Sequence, residues 1–137
     1  MTKAILLVGG KGTRLAPLTD HTPKPMLKVA GKPVTEHQIV KAREAGISEI
    51  VLATSYMADV FEPYFGDGSK FGISIRYAVE ETPLGTGGAI ANAASLLSLK
   101  DDEMVAVFNG DVLSAHDLSS QLAMHQSKGA DATLYLT

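Results

Sequence analysis

The chain has 137 residues, of which 45% are apolar, 20% charged and 6% aromatic. That balance fits one folded domain burying roughly two-thirds of its unfolded surface and excludes disorder, collagen-like repeats and coiled coil. Twelve Lys and Arg against fifteen Asp and Glu leave a formal charge of −3 with no basic block, so neither nucleic acid nor an anionic membrane is an expected partner.

Cysteine is absent, which excludes disulfides, thiolate metal sites and a Cys nucleophile. No apolar run is long enough to span a bilayer. Met1-Thr2-Lys3 leads straight into a strand pattern with no A-x-A cleavage site, and the expected compartment is the cytoplasm.

Short apolar runs alternate with helix-like stretches along the chain. Ala4 to Val8 is nearly continuous apolar sequence of strand length, which suits a strand covered on both faces. Pro33 marks a first helical position and Gly46 a terminator, predicting a helix over Val34 to Ala45 despite a weak apolar period. Ile50 to Ala53 is a second strand of the buried kind. Met57 to Phe65 predicts a short helix limited by Pro63, followed by a turn at Gly66-Asp67-Gly68-Ser69. Ile73, Ile75 and Tyr77 alternate with Ser74 and Arg76, predicting a strand to Val79 with one wetter face. Ala89, Ile90, Ala93, Ala94 and Leu97 recur at helical spacing.

Met104 to Phe108 is a third buried run. Leu118, Leu122 and His125 are again helical, with Lys128 in the last turn and Gly129 beyond it. Ala132, Leu134 and Leu136 alternate as a last strand. This order predicts a three-layer α/β fold with a mostly parallel sheet.

In such a sheet, ligands bind outside the carboxyl ends of the strands, so the loops after Val8, Val79 and Phe108 carry the information. The first, Gly9-Gly10-Lys11-Gly12-Thr13-Arg14-Leu15, lets backbone N–H groups crowd around an anion while Lys11 and Arg14 add charge. Its spacing is neither a Walker A loop nor a dinucleotide fingerprint, since Leu15 stands where a third glycine is needed. Alone, it reads as a tight turn with two solvated cations.

Pro23-Lys24-Pro25 mounts one ammonium between two rigid residues; alone, it is a surface lysine in an extended loop. Pro83-Leu84-Gly85-Thr86-Gly87-Gly88 offers a second glycine-rich helix entrance, or a flexible connection. Asn109-Gly110-Asp111 carries the strongest hairpin-turn signal, yet helix-like sequence follows it. An Asp ending a buried parallel strand is well placed to hold Mg²⁺ beside phosphates.

His21, His37, His116 and His125 lack zinc-ligand spacing, and His125 belongs to the core or its rim. Ser114, His116 and Asp117 are neighbours without a nucleophile elbow, and Glu80-Glu81 is compatible with a solvated doublet.

Taken together, Gly9 to Thr19 followed by Pro23-Lys24-Pro25-Met26-Leu27 closely resembles the signature of the sugar-phosphate nucleotidyltransferases. Pro83 to Gly88 and Asn109-Gly110-Asp111 match later family elements in order, and the similarity covers essentially the whole chain. Thr54-Ser55-Tyr56, Glu80 to Gly87 and Phe108 to Leu113 look most like mannose-1-phosphate guanylyltransferases, with heptose-1-phosphate guanylyltransferases close behind. Uridylyl- and thymidylyltransferases acting on sugar 1-phosphates are the further alternatives.

The resemblance implies a Rossmann-like nucleotide-binding fold and a Mg²⁺-dependent reaction. A sugar 1-phosphate attacks the α-phosphorus of a nucleoside triphosphate in line, giving an NDP-sugar and pyrophosphate. It implies Arg14 and Lys24 as catalytic residues, on pyrophosphate and α-phosphate respectively, and Asp111 as the metal ligand. Leu7, Gly9, Gly10, Lys11, Gly12, Thr13, Glu80, Pro83, Gly85 and Thr86 are implied to bind the nucleotide. Glu80 stands where the family often has a base-reading Gln, and a carboxylate can accept two guanine N–H groups, which favours GTP.

Family members are usually longer, with a sugar-phosphate Lys and a second metal-binding Asp further along. Residues 1–137 are therefore expected to form the nucleotide-binding part, without the sugar-phosphate-binding part. Two other expectations stay open: a nucleotide-binding module that does not turn over alone, and a homo-oligomer. A dinucleotide-binding domain is disfavoured by the missing third glycine.

Overall fold

In the computed structural model, which describes residues 2–136, four of the apolar runs become one parallel sheet. The chain forms β1 (Lys3–Leu7), then a long excursion ending in a small hairpin of β2 (Lys28–Val29) and β3 (Lys32–Pro33). It continues through α1 (Val34–Glu44), β4 (Glu49–Thr54), α2 (Phe61–Phe65), β5 (Ser74–Val79), α3 (Gly85–Ser95), β6 (Val105–Asn109) and α4 (Leu118–Lys128). The sheet order is β5-β4-β1-β6 with every neighbouring pair parallel. β1 is paired on both edges: Lys3 to Leu7 lie opposite Glu49 to Ala53 on one side and Val105 to Asn109 on the other.

Alternate residues of a strand point to opposite faces, and here each face has its own helices. Ala4, Leu6, Ile50 and Leu52 pack with Ile39 and Ala42 of α1, Phe61 and Phe65 of α2, and Leu118 of α4. Ile5, Val51, Ala53 and Ala78 pack instead with Ala89 and Ala93 of α3 and with Leu97 beyond it. Because both faces of β1 and β4 are fully covered, their sequences show no polar alternation. This is the expected three-layer arrangement.

The periphery differs from the sequence reading in several places. Among the described residues β6 pairs only with β1, and Val107 is 44% exposed, so the expectation of a strand covered on both faces fails at this edge. Residues 132–136 form no strand: they join no ladder, and Leu134 and Leu136 are 80% and 82% exposed. Period-2 alternation supplies propensity, but a strand exists only where another strand pairs with it. This segment is held by side chains instead, with His125 Nδ1 and Thr133 Oγ1 2.9 Å apart and the Tyr135 ring stacked on His116 at 4.0 Å.

The helix expected over Met57 to Phe65 is broken. Met57 adopts a left-handed φ of 51°, Ala58–Val60 is a 3₁₀ turn, and Pro63 falls in the first turn of α2, where its missing N–H is harmless. α3 starts at Gly85 rather than Ala89, taking the glycines of the expected loop into its first turn.

The chain leaves β6 through a turn in which Val112 N–H donates to the Asn109 carbonyl at 3.3 Å. A type I′ hairpin turn needs positive φ at both central residues, and neither Gly110 nor Asp111 has it. Gly110 is required for closeness: its N–H donates to the Leu7 carbonyl at 2.8 Å, and an added Cβ would stand 2.5 Å from that oxygen and 2.5 Å from Val8 Cγ1. Gly110→Ala is expected to lower stability by about 1–3 kcal/mol through overpacking, seen as an earlier urea midpoint with little change in m-value. An unmoved midpoint would mean that the turn can back away from β1 without loss.

Candidate functional site

All four strands end at one rim, and their carboxyl ends open into a cleft of about 640 Å³. Leu7 and the loop after β1 form its floor, with Gly9, Gly10, Lys11, Gly12 and Arg14 in the lining. Ser55, just past β4, donates its hydroxyl to the Gly9 carbonyl at 2.5 Å. Gly12 has a left-handed φ of 60°, its carbonyl accepts from Thr19 Oγ1 at 2.9 Å, and an added Cβ would meet Lys24 Cβ at 2.9 Å. The loop is thereby folded inward, against β4 on one side and Lys24 on the other.

Backbone N–H groups of Gly10, Lys11, Gly12 and Thr13 donate to nothing among the described residues, and Lys11 and Arg14 take part in none of the ion pairs there. Unpaired amides and two uncompensated cations in a concave loop make a place for an anion. Thr13 opens a 3₁₀ turn (Thr13–Leu15) and does not line the cleft.

Lys24 begins a second 3₁₀ turn, Lys24–Met26, rather than an extended surface loop. The turn is tied to α1 by Thr35, whose buried hydroxyl donates to the Pro25 carbonyl at 3.0 Å. Lys24 Nζ meets Asp111 Oδ2 at 2.7 Å, with the two side chains 36% and 40% exposed. Asp111 stands in the turn after β6, and that turn is also tied to α1: Gln38 Nε2 donates to the carbonyls of Asn109 and Val112, each at 2.6 Å. One helix thus anchors both partners of the pair.

The opposite wall comes from the end of β5 and the start of α3. Glu80 N–H donates to the Thr54 carbonyl at 2.8 Å, extending the ladder by one bond, and its carboxylate accepts Leu84 N–H at 3.1 Å. Pro83, Gly85 and Thr86 line this wall beside Glu80.

Ser55, Tyr56, Glu81 and Asn109, to which the sequence gives no individual role, also line the cleft; Glu81 and Asn109 belong to the loops it singles out. Ser55 and Tyr56 follow the carboxyl end of β4, so the rule that selected the other loops would have found them. Tyr56 also donates its hydroxyl to the Thr19 carbonyl at 3.4 Å.

Ser114 and His116 lie around a separate, smaller cavity. Ser114 Oγ is 2.6 Å from His116 Nδ1, and Lys41 Nζ lies 3.3 Å from the same nitrogen and donates to the Ser114 carbonyl at 2.8 Å. Asp117 takes no part. It caps α4 by accepting from Ser120 Oγ at 2.6 Å and Ser120 N–H at 3.0 Å, and those bonds hold its carboxyl below the usual range. The three neighbours form no relay. Among the described residues no three His, Asp or Glu side chains gather where they could hold a metal, and no helix is long and apolar enough to cross a membrane.

Residues 3–137 match the family model described as nucleotidyl transferase. A mannose-1-phosphate guanylyltransferase of Mycobacterium tuberculosis is 53% identical over 97% of this chain, and a mannose-1-phosphate guanyltransferase of Gibberella zeae 42% identical over 98%. The chain spans 36% and 37% of the lengths of these two relatives.

Among solved structures, a putative glucose-1-phosphate thymidylyltransferase from Bacillus anthracis superposes with a TM-score of 0.82 at 28% identity, over 93% of this chain and 51% of that one. HddC from Yersinia pseudotuberculosis, complexed with GMP-PN, gives 0.76 at 31% identity, over 93% and 54%. Glycine loop, mounted lysine, strand-end aspartate and glycine-rich helix entrance converge on one cleft in a chain matched from Lys3 onward, and this chain belongs to the nucleotidyl transferase family.

Proposed function

We propose that residues 1–137 are the nucleotide-binding part of an enzyme that makes GDP-mannose and pyrophosphate from GTP and mannose 1-phosphate. The observation that carries the reading is the cleft itself, where unpaired amides, Lys11, Arg14 and Lys24 face one cavity at the carboxyl rim of the sheet. Curated guanylyl-transferring relatives at 53% and 42% identity favour guanylyl over thymidylyl transfer, since the thymidylyltransferase structure is only 28% identical. The sugar phosphate would be gripped by sequence that the longer relatives carry beyond the matched region.

In this reaction a phosphate oxygen of the sugar 1-phosphate forms a bond to the α-phosphorus while the α–β phosphoanhydride bond breaks and pyrophosphate leaves. No protein nucleophile is involved, so the side chains position substrates and stabilise charge. Amides of Gly9, Gly10 and Gly12 would cradle the triphosphate with Lys11, and Leu7 and Thr13 would bound that loop. Arg14 would draw off charge building on pyrophosphate, and Lys24 would hold the α-phosphate. Pro83, Gly85 and Thr86 would bracket base and ribose, while Glu80, released from the Leu84 amide, would accept the guanine N–H groups.

One carboxylate, Asp111, faces the phosphate side, a donor set that suits Mg²⁺ arriving with phosphate oxygens and water and does not suit a metal held by protein alone. Bound there, Mg²⁺ would neutralise phosphate charge. The exposed Lys24–Asp111 pair, worth about 0.2–1 kcal/mol, is weak enough for both side chains to exchange each other for these ligands.

Titration calorimetry of this chain with GTP and Mg²⁺ tests the reading, and failure to bind any of the four nucleoside triphosphates would end it. Arg14→Ala should weaken GTP binding roughly 10- to 100-fold, the loss expected for a charge-assisted hydrogen bond. Asp111→Asn should instead abolish most of the difference between affinities measured with and without Mg²⁺. The preference for GTP is expected to fall when Glu80 becomes Ala, with ATP and UTP affinities little changed; equal losses for all bases would remove Glu80 from base recognition.

A further inference from the structure

Gln38 sits in the middle of α1, 6% exposed and outside the lining of the nucleotide cleft. Both protons of its side-chain amide are used on one target: the carbonyls of Asn109 and Val112, the first and last residues of the turn that presents Asp111. Its own oxygen, Oε1, is buried without a partner. An unpaired buried carbonyl is unfavourable, and turning the amide over would place that oxygen against two other carbonyl oxygens. Gln38 therefore keeps an unfavourable arrangement at one end of its amide and makes two short bonds at the other.

The turn needs them. Its internal bond, Val112 N–H to the Asn109 carbonyl, is 3.3 Å long, and Asn109, Asp111 and Val112 are all exposed. Without Gln38, the remaining ties are Gly110 N–H to the Leu7 carbonyl and the exposed pair with Lys24.

We propose that Gln38 is a positioning residue for Asp111, clamping both ends of the 109–112 turn so that the carboxylate stays aimed at Lys24 and the phosphate side of the cleft. The functional half of this inference rests on the proposed role of Asp111 in holding a nucleotide-bound metal. The clamp itself rests only on the geometry of α1 and the turn.

The experiment uses Gln38→Leu, Gln38→Glu, Asp111→Asn and the Gln38→Leu/Asp111→Asn double variant of this chain. Amide hydrogen exchange followed by NMR reads the turn without ligand, and calorimetry reads binding of GTP with and without Mn²⁺. Gln38→Leu should speed exchange at Gly110 and Val112 roughly tenfold, the loss of two hydrogen bonds being partly offset by removal of the unpaired Oε1, while protection in β1 and β4 is retained. It should also weaken Mn²⁺–GTP binding roughly tenfold, and add no further loss in the Asp111→Asn background. Gln38→Glu should weaken binding at least as much as Gln38→Leu, because an ionised carboxylate has no proton to donate and sets a negative charge against two turn carbonyls.

Unchanged exchange at Gly110 and Val112 in Gln38→Leu overturns the clamp. Additive losses in the double variant overturn its action through Asp111. A metal dependence in Asp111→Asn equal to that of the wild type overturns the metal role of Asp111, and the exchange data still decide whether Gln38 holds the turn.

Discussion

Setting β1 in parallel register between β4 and β6 decides what the rim of this molecule can hold. Parallel strands end on the same side, so the loops after Leu7, Thr54, Val79 and Asn109 emerge together, although more than a hundred residues separate the first from the last. The Gly110 N–H bond to the Leu7 carbonyl extends the β1–β6 contact past the last ladder residue and brings the aspartate turn against the glycine loop. The absence of a Cβ at Gly110 is what permits the approach.

The contact between Lys24 and Asp111 contributes little to stability, because both groups are more than a third exposed and water screens them. Its importance is geometric. Each partner is mounted on a turn that α1 holds from behind, through Thr35 on one side and Gln38 on the other. Under the proposed function, rigid mounting with a weak mutual attraction would let both groups turn to phosphate and metal. A tightly buried pair would have resisted separation.

Much of this was legible in the sequence. β1 and β4 were plain because residues 4–6 and 50–53 are apolar and almost wholly buried, and the cleft followed from where such strands end. Legibility failed where tertiary hydrogen bonds overrode local pattern. α1 showed a weak apolar period because Thr35, Glu36 and Gln38 are buried with their polar groups directed at neighbouring segments, so a helix face that looks mixed in sequence is in fact fully packed. Asn109-Gly110 carried a hairpin signature, yet its glycine answers to crowding by Leu7 and Val8, which no local rule contains. Residues 132–136 alternated well but found no ladder, since pairing is a property of the sheet and not of the segment.

The missing side chain of Gly12 has one more consequence. The space where its Cβ would stand is filled by the stem of Lys24, with Thr19 Cγ2 on the other side at 3.2 Å. The glycine loop and the lysine turn therefore lie against each other with no room for a side chain between them, so that any larger residue at position 12 would wedge the two apart.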